Sequence, residues 1–208
     1  MKKYCAMIFD CGGVIFHFSS DRIFKHWALV SGKDAIELKK KFDFGETYQK
    51  FERGEISPSV FRKKTMNKLE FKISDEEFDN GWNSMYMELV PGIVGLLREL
   101  RSTYRLVALT NTNAIHAERW PILFSSVLEY FEKVFSSHVI GARKPEKRAY
   151  ETVLNYLGVN PQSTIFFDDN PEFVRAAETM DISSVRVTSF KQMANEMRER
   201  GVRLECVV

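Results

Sequence analysis

Four short segments of this 208-residue chain carry side chains suited to attack on a charged electrophile. They are Phe9-Asp10-Cys11-Gly12-Gly13, Thr110-Asn111, Arg143-Lys144-Pro145 and Asp168-Asp169-Asn170. Asp10 closes an apolar run, Met7-Ile8-Phe9, and two glycines follow it at once. Glycine there permits backbone angles closed to other residues and lets a ligand approach the main chain. A carboxylate so placed can act as a nucleophile forming a covalent intermediate, or as a metal ligand. Clustered with Asp168 and Asp169 it would be repelled unless a cation sat among the three. Hard oxygen ligands with few nitrogens favour Mg²⁺. Thr110 and Asn111 are neutral groups able to donate to phosphoryl oxygens, and Lys144 supplies positive charge for the nucleophile and the transferring group. Taken singly, each has a plainer reading. Asp10 and Asp168-Asp169 could cap turns and helices, Thr110-Asn111 could be an ordinary turn, and Lys144 could be a solvated lysine.

For the four segments to meet, each must sit at the end of a strand. Residues 4–9 read as a first buried strand, Arg105 to Leu109 as a second, Val134-Phe135 as a weaker third, and Thr164 to Phe167 as a strong fourth. Ile182 to Val187 reads as a fifth, and the tail Val202 to Val208 as an edge strand. Amphipathic helices are expected at Pro91 to Leu100, at Glu146 to Leu157 ending in Gly158, and over 190–200. Strands alternating with helices imply a parallel sheet with right-handed crossovers, whose carboxyl edge gathers the ligand-binding residues.

Between about 20 and 88 the pattern is helical, without strong strands. Asp21 opens one segment, Ser57-Pro58 is an N-cap with proline at the first helical position, and Ser74-Asp75-Glu76-Glu77 is a capping box. The sequence therefore predicts an α/β protein: a Rossmann-like doubly wound parallel sheet, residues 1–16 and 89–208, interrupted by an all-helical cap of four or five short helices over 17–88.

Composition narrows the setting. Hydrophobic residues make up 44% and aromatics 13%, enough for a filled core, and the net charge of +2 suggests neither nucleic acid nor an anionic membrane as partner. Cys5, Cys11 and Cys206 show no CxxC spacing, which argues against a disulfide scaffold or structural zinc. With no signal-peptide pattern and no apolar run of about 20 residues, a cytoplasmic setting is expected.

On these four segments the chain resembles the haloacid dehalogenase-like superfamily of aspartate-nucleophile hydrolases, in the subclass with a helical cap after the first strand. Phe44-Gly45-Glu46, Phe51 to Ser57, Leu109 to Asn113 and Phe166 to Asn170 look like the bacterial α-D-glucose-1-phosphate phosphatase branch of it. The resemblance implies that Asp10 is the nucleophile and a Mg²⁺ ligand, and that Gly12 turns its carbonyl to the metal. Asp168 and Asp169 would complete the acidic site. Thr110 and Asn111 would bind the phosphoryl group, and Lys144 would hold it together with Asp10. The implied activity is a Mg²⁺-dependent phosphatase acting on a small phosphorylated metabolite, with a sugar phosphate favoured, through an aspartyl-phosphate. The expected partner is a small-molecule phosphate ester, with no nucleic acid or membrane, in a monomer or weak homodimer.

One departure bears on mechanism. Most phosphatases of the superfamily carry a second Asp two residues after the nucleophile, and here that position is Gly12. Water, His17 or the cap residue Glu46 could substitute, and His116 lies beyond the Thr110 motif. Phe44, Tyr48, Phe51 and Trp82 read as cap core before substrate wall. Glu46 and Arg53 either bind sugar hydroxyls or face solvent, and Cys11 reads as packing. Two other readings stay open. One is a 2-haloacid dehalogenase, against which the paired acids speak. The other is a catalytically weakened binding or regulatory protein.

Overall fold

In the computed structural model, residues 4–204 are described. The chain enters through β1 (Ala6–Phe9) and a short strand β2 (Phe16–Phe18). Five helices follow: α1 (Ser20–Ser31), α2 (Ala35–Lys41), α3 (Glu46–Glu52), α4 (Pro58–Leu69) and α5 (Asp75–Asn83). Strand β3 (Tyr86–Leu89) returns antiparallel to β2, and α6 (Ile93–Arg101) leads to β4 (Arg105–Thr110). Short helices α7 (Ala114–Ala117), α8 (Trp120–Leu123) and α9 (Ser125–Leu128) precede β5 (Lys133–Ser136) and α10 (Ser137–Ile140). The remaining elements are α11 (Lys147–Leu157), a 3₁₀ turn (Pro161–Ser163), β6 (Thr164–Asp168), α12 (Pro171–Glu178), β7 (Ser183–Arg186) and α13 (Phe190–Glu199).

The main sheet has the order β5-β4-β1-β6-β7, and every pairing in it is parallel. The chain fills one side of β1 first and then the other, so the connection reverses between β1 and β6. Such a reversal opens a crevice at the carboxyl edge. Strand β1 alternates its side chains between two cores. Met7 and Phe9 pack with Leu106, Ile165 and Phe167 under α6 and α13. Ala6 and Ile8 pack with Val107, Leu109 and Phe166 under α11 and α12. Burial on both faces is why these strands read as continuous apolar runs.

The five inserted helices bury their own core of Phe24, Trp27, Phe51, Phe61, Phe78 and Trp82, joined by Ile115 from α7. The α/β sheet with an inserted helical cap thus stands as expected from the sequence. Ser57 accepts from Val60 N–H, and Ser74 and Glu77 form the capping box.

Three expectations need correction. The segment expected to be wholly helical is bounded by the two-stranded β2–β3 ribbon. Its strands are three and four residues long and meet across the whole insert, so no local alternation announces them. Helices α7 to α10 were not expected, because four residues are too few to show a helical period. Residues 202–204 form no strand, and the rest of the expected edge strand lies outside the described residues.

Candidate active site

Register brings the predicted residues together. Phe9 lies opposite Ala108 on β4 and Phe167 on β6, so Asp10 and Asp168 each fall one position further along neighbouring strands. The ladder continues past β1, with Asp10 N–H donating to Phe167 O at 2.8 Å, which fixes the backbone beneath the carboxylate. Asp10, Asp168 and Asp169 each offer an oxygen within 4.8 Å of the others. Lys144 is fully buried and its Nζ donates to both Asp10 Oδ1, at 2.7 Å, and Asp168 Oδ2, at 2.6 Å. Burial opposes the Lys144 ammonium, but the two carboxylates outweigh it and hold its pKa above the usual lysine value. Burial pushes the Asp10 carboxyl up to about 7 against the pull of Lys144, and Asp168 and Asp169 add to the rise. Asp169 is raised too, by its own burial and by Asp168.

The second Asp168 oxygen accepts from Asn170 N–H at 2.8 Å, so both Asp168 oxygens are engaged. Asp169 instead lines a cavity of about 360 Å³ that also reaches Asp10, Gly12, Thr110, Asn111 and Lys144. The paired glycines divide the work here. Gly13 sits at φ +75°, and a Cβ on it would lie 2.5 Å from Asp169 Oδ2, so only glycine leaves room for that carboxylate. A Cβ on Gly12 would lie 3.1 Å from the Phe18 ring, so Phe18 crowds the position where the second Asp would stand.

From the end of β4 onward, each residue has a separate task. Thr110 is buried and lines the cavity. The Asn111 carboxamide donates to Lys144 O at 2.9 Å and accepts from Lys144 N–H at 2.8 Å. That clamp positions the lysine loop and still leaves one amide N–H for a ligand. Thr112 exchanges hydrogen bonds with the Ser137 hydroxyl, through its N–H and its carbonyl. Asn113 Oδ1 caps α7 and accepts from cap residue Trp82 Nε1 at 3.3 Å.

How the cap meets this site was not anticipated from the sequence. Glu52 and Arg53, ending α3, reach Arg143 and Glu146 on either side of Lys144. Arg143 Nε donates to Glu52 Oε2 at 2.6 Å, and Arg53 Nη1 donates to Glu146 Oε1 at 3.0 Å. Tyr48 OH donates to Glu52 Oε1 at 2.7 Å, and burial lifts the Glu52 carboxyl above its usual range. Complementary Glu-Arg and Arg-x-x-Glu spacings 91 and 93 residues apart were the available signal.

His116 lies on the cavity wall, stacked on Trp82 with ring centroids 5.1 Å apart. Asn83 Nδ2 donates to Ile115 O, which turns Asn83 Oδ1 toward His116 Nδ1 at 3.0 Å. Nδ1 therefore carries the proton and Nε2 keeps its lone pair. Desolvation pushes the imidazole pKa down to about 3. Folding thus keeps the ring neutral, while the unfolded chain protonates it below its ordinary 6.5. Between those values the unfolded state binds more protons, so stability falls as pH falls, by up to about 1.4 kcal/mol per pH unit. Chemical denaturation from pH 7 to pH 4 is expected to show a shallower acid limb in His116→Gln than in wild type. Equal limbs would refute the neutral buried ring.

The other residues weighed from sequence are elsewhere. His17 is exposed on β2. Glu46 pairs with Lys50 in solvent and lines a separate depression of the cap. Neither lines the cavity with Asp10. Arg53 is a junction residue. Phe51 and Trp82 are cap core, as expected, whereas Phe44 and Tyr48 also line the cavity. Cys11 is packed, and burial pushes its thiol pKa far up.

An α/β sheet carrying a carboxylate cluster and a buried lysine at its switch point, under a helical cap, defines a hydrolase class. The sequence matches the family described as haloacid dehalogenase-like hydrolase over residues 5–181, and the chain belongs to that family. It is 26% identical to a D-ribitol-5-phosphate phosphatase of Bacteroides thetaiotaomicron, over 78% of this chain and 82% of the relative. It is also 26% identical to a sesquiterpene phosphatase of Aspergillus oryzae, over 93% of this chain and 95% of that one. A solved haloacid dehalogenase-family enzyme of Bacteroides thetaiotaomicron, in complex with magnesium and inorganic phosphate, superposes with a TM-score of 0.79 at 26% identity. That match covers 90% of this chain and 96% of the solved one. Among the described residues, no helix is long and apolar enough to cross a membrane.

Proposed function

We propose that the protein is a Mg²⁺-dependent phosphatase that hydrolyses a small phosphate monoester, with a sugar phosphate favoured, through an aspartyl-phosphate on Asp10. The observation that carries this reading is the Lys144 ammonium bridging Asp10 and Asp168 beside Asp169 at the switch point. The phosphatase relatives and the magnesium–phosphate complex of the solved relative support it.

The donor set suits magnesium: oxygens only, mostly carboxylate, and a glycine that makes space for one of them. Asp10, Asp169 and the Gly12 carbonyl would hold the ion, with Asp168 completing the acidic site. When bound, the cation would supply Lewis-acid stabilisation of the phosphoryl charge. Asp10 attacks phosphorus through the oxygen not held by Lys144, and the ester P–O bond breaks as the leaving-group oxygen departs with the bonding pair and takes its proton from water. Lys144 and Thr110 bind the phosphoryl oxygens, and Asn111 keeps the lysine loop in place. Water then attacks the phosphorus of the acyl phosphate, releasing inorganic phosphate and restoring the Asp10 carboxylate. With Phe18 beside Gly12, no carboxylate stands there to protonate the leaving group. A good leaving group, such as the anomeric oxygen of a sugar 1-phosphate, needs less of that help. We place the division between cap and core at the β2–β3 ribbon, with the cap spanning 17–88.

EDTA treatment is expected to lower turnover of p-nitrophenyl phosphate by at least about 100-fold, with Mg²⁺ restoring it. Chloride release from 2-chloropropionate unaffected by EDTA would instead establish the dehalogenase reading.

A further inference from the structure

The two phosphatase relatives differ in leaving group, one a polyol and the other an isoprenoid. The cavity wall opposite in character to the carboxylates bears on that choice. Aromatic rings line it, Phe16, Phe18, Tyr86 and Trp120 among them. Flat apolar faces accept either an isoprenoid chain or the C–H face of a sugar. The polar groups set among these rings discriminate between the two.

His116 is one of them. Its Nδ1 is committed to Asn83, no partner of Nε2 occurs among the described residues, and Nε2 is not sealed from the cavity the ring lines. Nε2 is an acceptor and requires a donor. Arg143 is another. Only its Nε is engaged, by Glu52, which leaves the four Nη hydrogens of the guanidinium fork unbonded among the described residues and the side chain on the cavity wall. Tyr48 holds Glu52 in turn, so the fork is aimed from behind. One donor fork and one lone-pair acceptor in an aromatic box match hydroxyl groups, which both accept and donate.

Charge refines the match. Glu52 cancels Arg143 at 2.6 Å, so this end of the cavity is neutral overall. A second phosphate would meet no net positive charge there. An isoprenoid chain would strip water from His116 Nε2 and the Arg143 fork without replacing it, which weakens its binding for each group left unpaired.

We infer that His116 and Arg143 form a hydroxyl-reading subsite for the leaving group. The substrate is then the monophosphate of an uncharged, polyhydroxylated molecule, and neither an isoprenoid phosphate nor a bisphosphate. This inference rests on the phosphatase reading above. Arg143 is the donor, His116 the acceptor, and Glu52 a positioning residue for Arg143.

The test compares kcat/KM of the magnesium-loaded wild type for ribitol 5-phosphate, glucose 1-phosphate, geranyl phosphate and fructose 1,6-bisphosphate. Preference for at least one of the first two over the last two, by roughly 10-fold or more, is expected. His116→Phe keeps a ring on Trp82 but removes the acceptor, and Arg143→Lys keeps the charge opposite Glu52 but removes the fork. Each is expected to lower kcat/KM for the preferred polyol phosphate about 5- to 150-fold while lowering that for geranyl phosphate less. Equal losses on both substrates, or a wild type preferring geranyl phosphate or the bisphosphate, overturn the inference. The wild-type preference decides the matter even where a variant fails to fold. Failure of wild type to hydrolyse any of these esters or p-nitrophenyl phosphate overturns the phosphatase reading and this inference with it. Turnover with the opposite preference overturns the inference alone.

Discussion

Asp10→Asn is expected to lower kcat by about 10⁴-fold or more, the scale seen when a covalent nucleophile is removed, while the protein stays folded. A carboxamide has almost the shape of a carboxylate but will not attack phosphorus. Stability should not suffer. Burial raises the Asp10 pKa to about 7 from 3.8, so the folded state binds more protons than the unfolded state between those values. The stability that protonation lends is complete below pH 3.8 and lost as pH rises through 7. The substituted carboxamide carries no charge to desolvate, and Lys144 keeps Asp168 as its partner. Metal-free Asp10→Asn at pH 8 is therefore expected to melt at or above the wild-type temperature. Wild-type turnover by this variant, measured after magnesium loading, would rule Asp10 out as the nucleophile. Loss of the melting transition would instead show that the carboxylate supports the fold.

Lys144→Met should have the opposite balance, with a large loss of stability beside the loss of activity. Methionine fills a similar volume between the Phe166 and Phe173 rings, which lie 5.6 and 5.2 Å from Nζ, but leaves Asp10 and Asp168 facing each other without their shared cation. Removing one partner from a buried ion pair costs about 3–5 kcal/mol, because an uncompensated charge remains. Urea denaturation in EDTA is expected to register a loss of this size. Magnesium should recover part of it, since a divalent ion replaces the missing charge for Asp10. Turnover should stay depressed with magnesium present, because the ammonium no longer meets the transferring group. Unchanged stability in EDTA would show that the carboxylates do not depend on Lys144.

The two variants test residues of different visibility in the sequence. Asp10, Thr110 and Asp168 were legible because each ends an apolar run, and a parallel sheet converts strand ends into neighbours. Lys144 was legible only by its company, since nothing local distinguishes a lysine clamped by Asn111 from one in solvent. The glycines were legible as a pair but not as individuals: backbone angle and the proximity of Asp169 single out Gly13, while Phe18 defines the surroundings of Gly12. The β2–β3 ribbon and the Glu52–Arg143 pair were illegible for a common reason. Each joins residues some 70 to 91 positions apart, and their contact exists only once the intervening helices have folded. His116 stood out as a residue type, but its tautomer depends on Asn83, whose own orientation is set by a carbonyl one residue before the histidine.

The paired contacts of Glu52 with Arg143 and of Arg53 with Glu146 also constrain how such a molecule can be recombined. A cap is an attractive module to exchange between relatives, because it enters and leaves the core through a single ribbon. Here the two sides of the join are complementary in alternating sign, acid to base and base to acid, around the lysine that touches the nucleophile. A transplanted cap lacking the Glu-Arg pair would strand two opposite charges of the core, one on each side of Lys144. The unit of inheritance is therefore larger than the insert: it includes the four-residue turn from Arg143 to Glu146, far away in the chain.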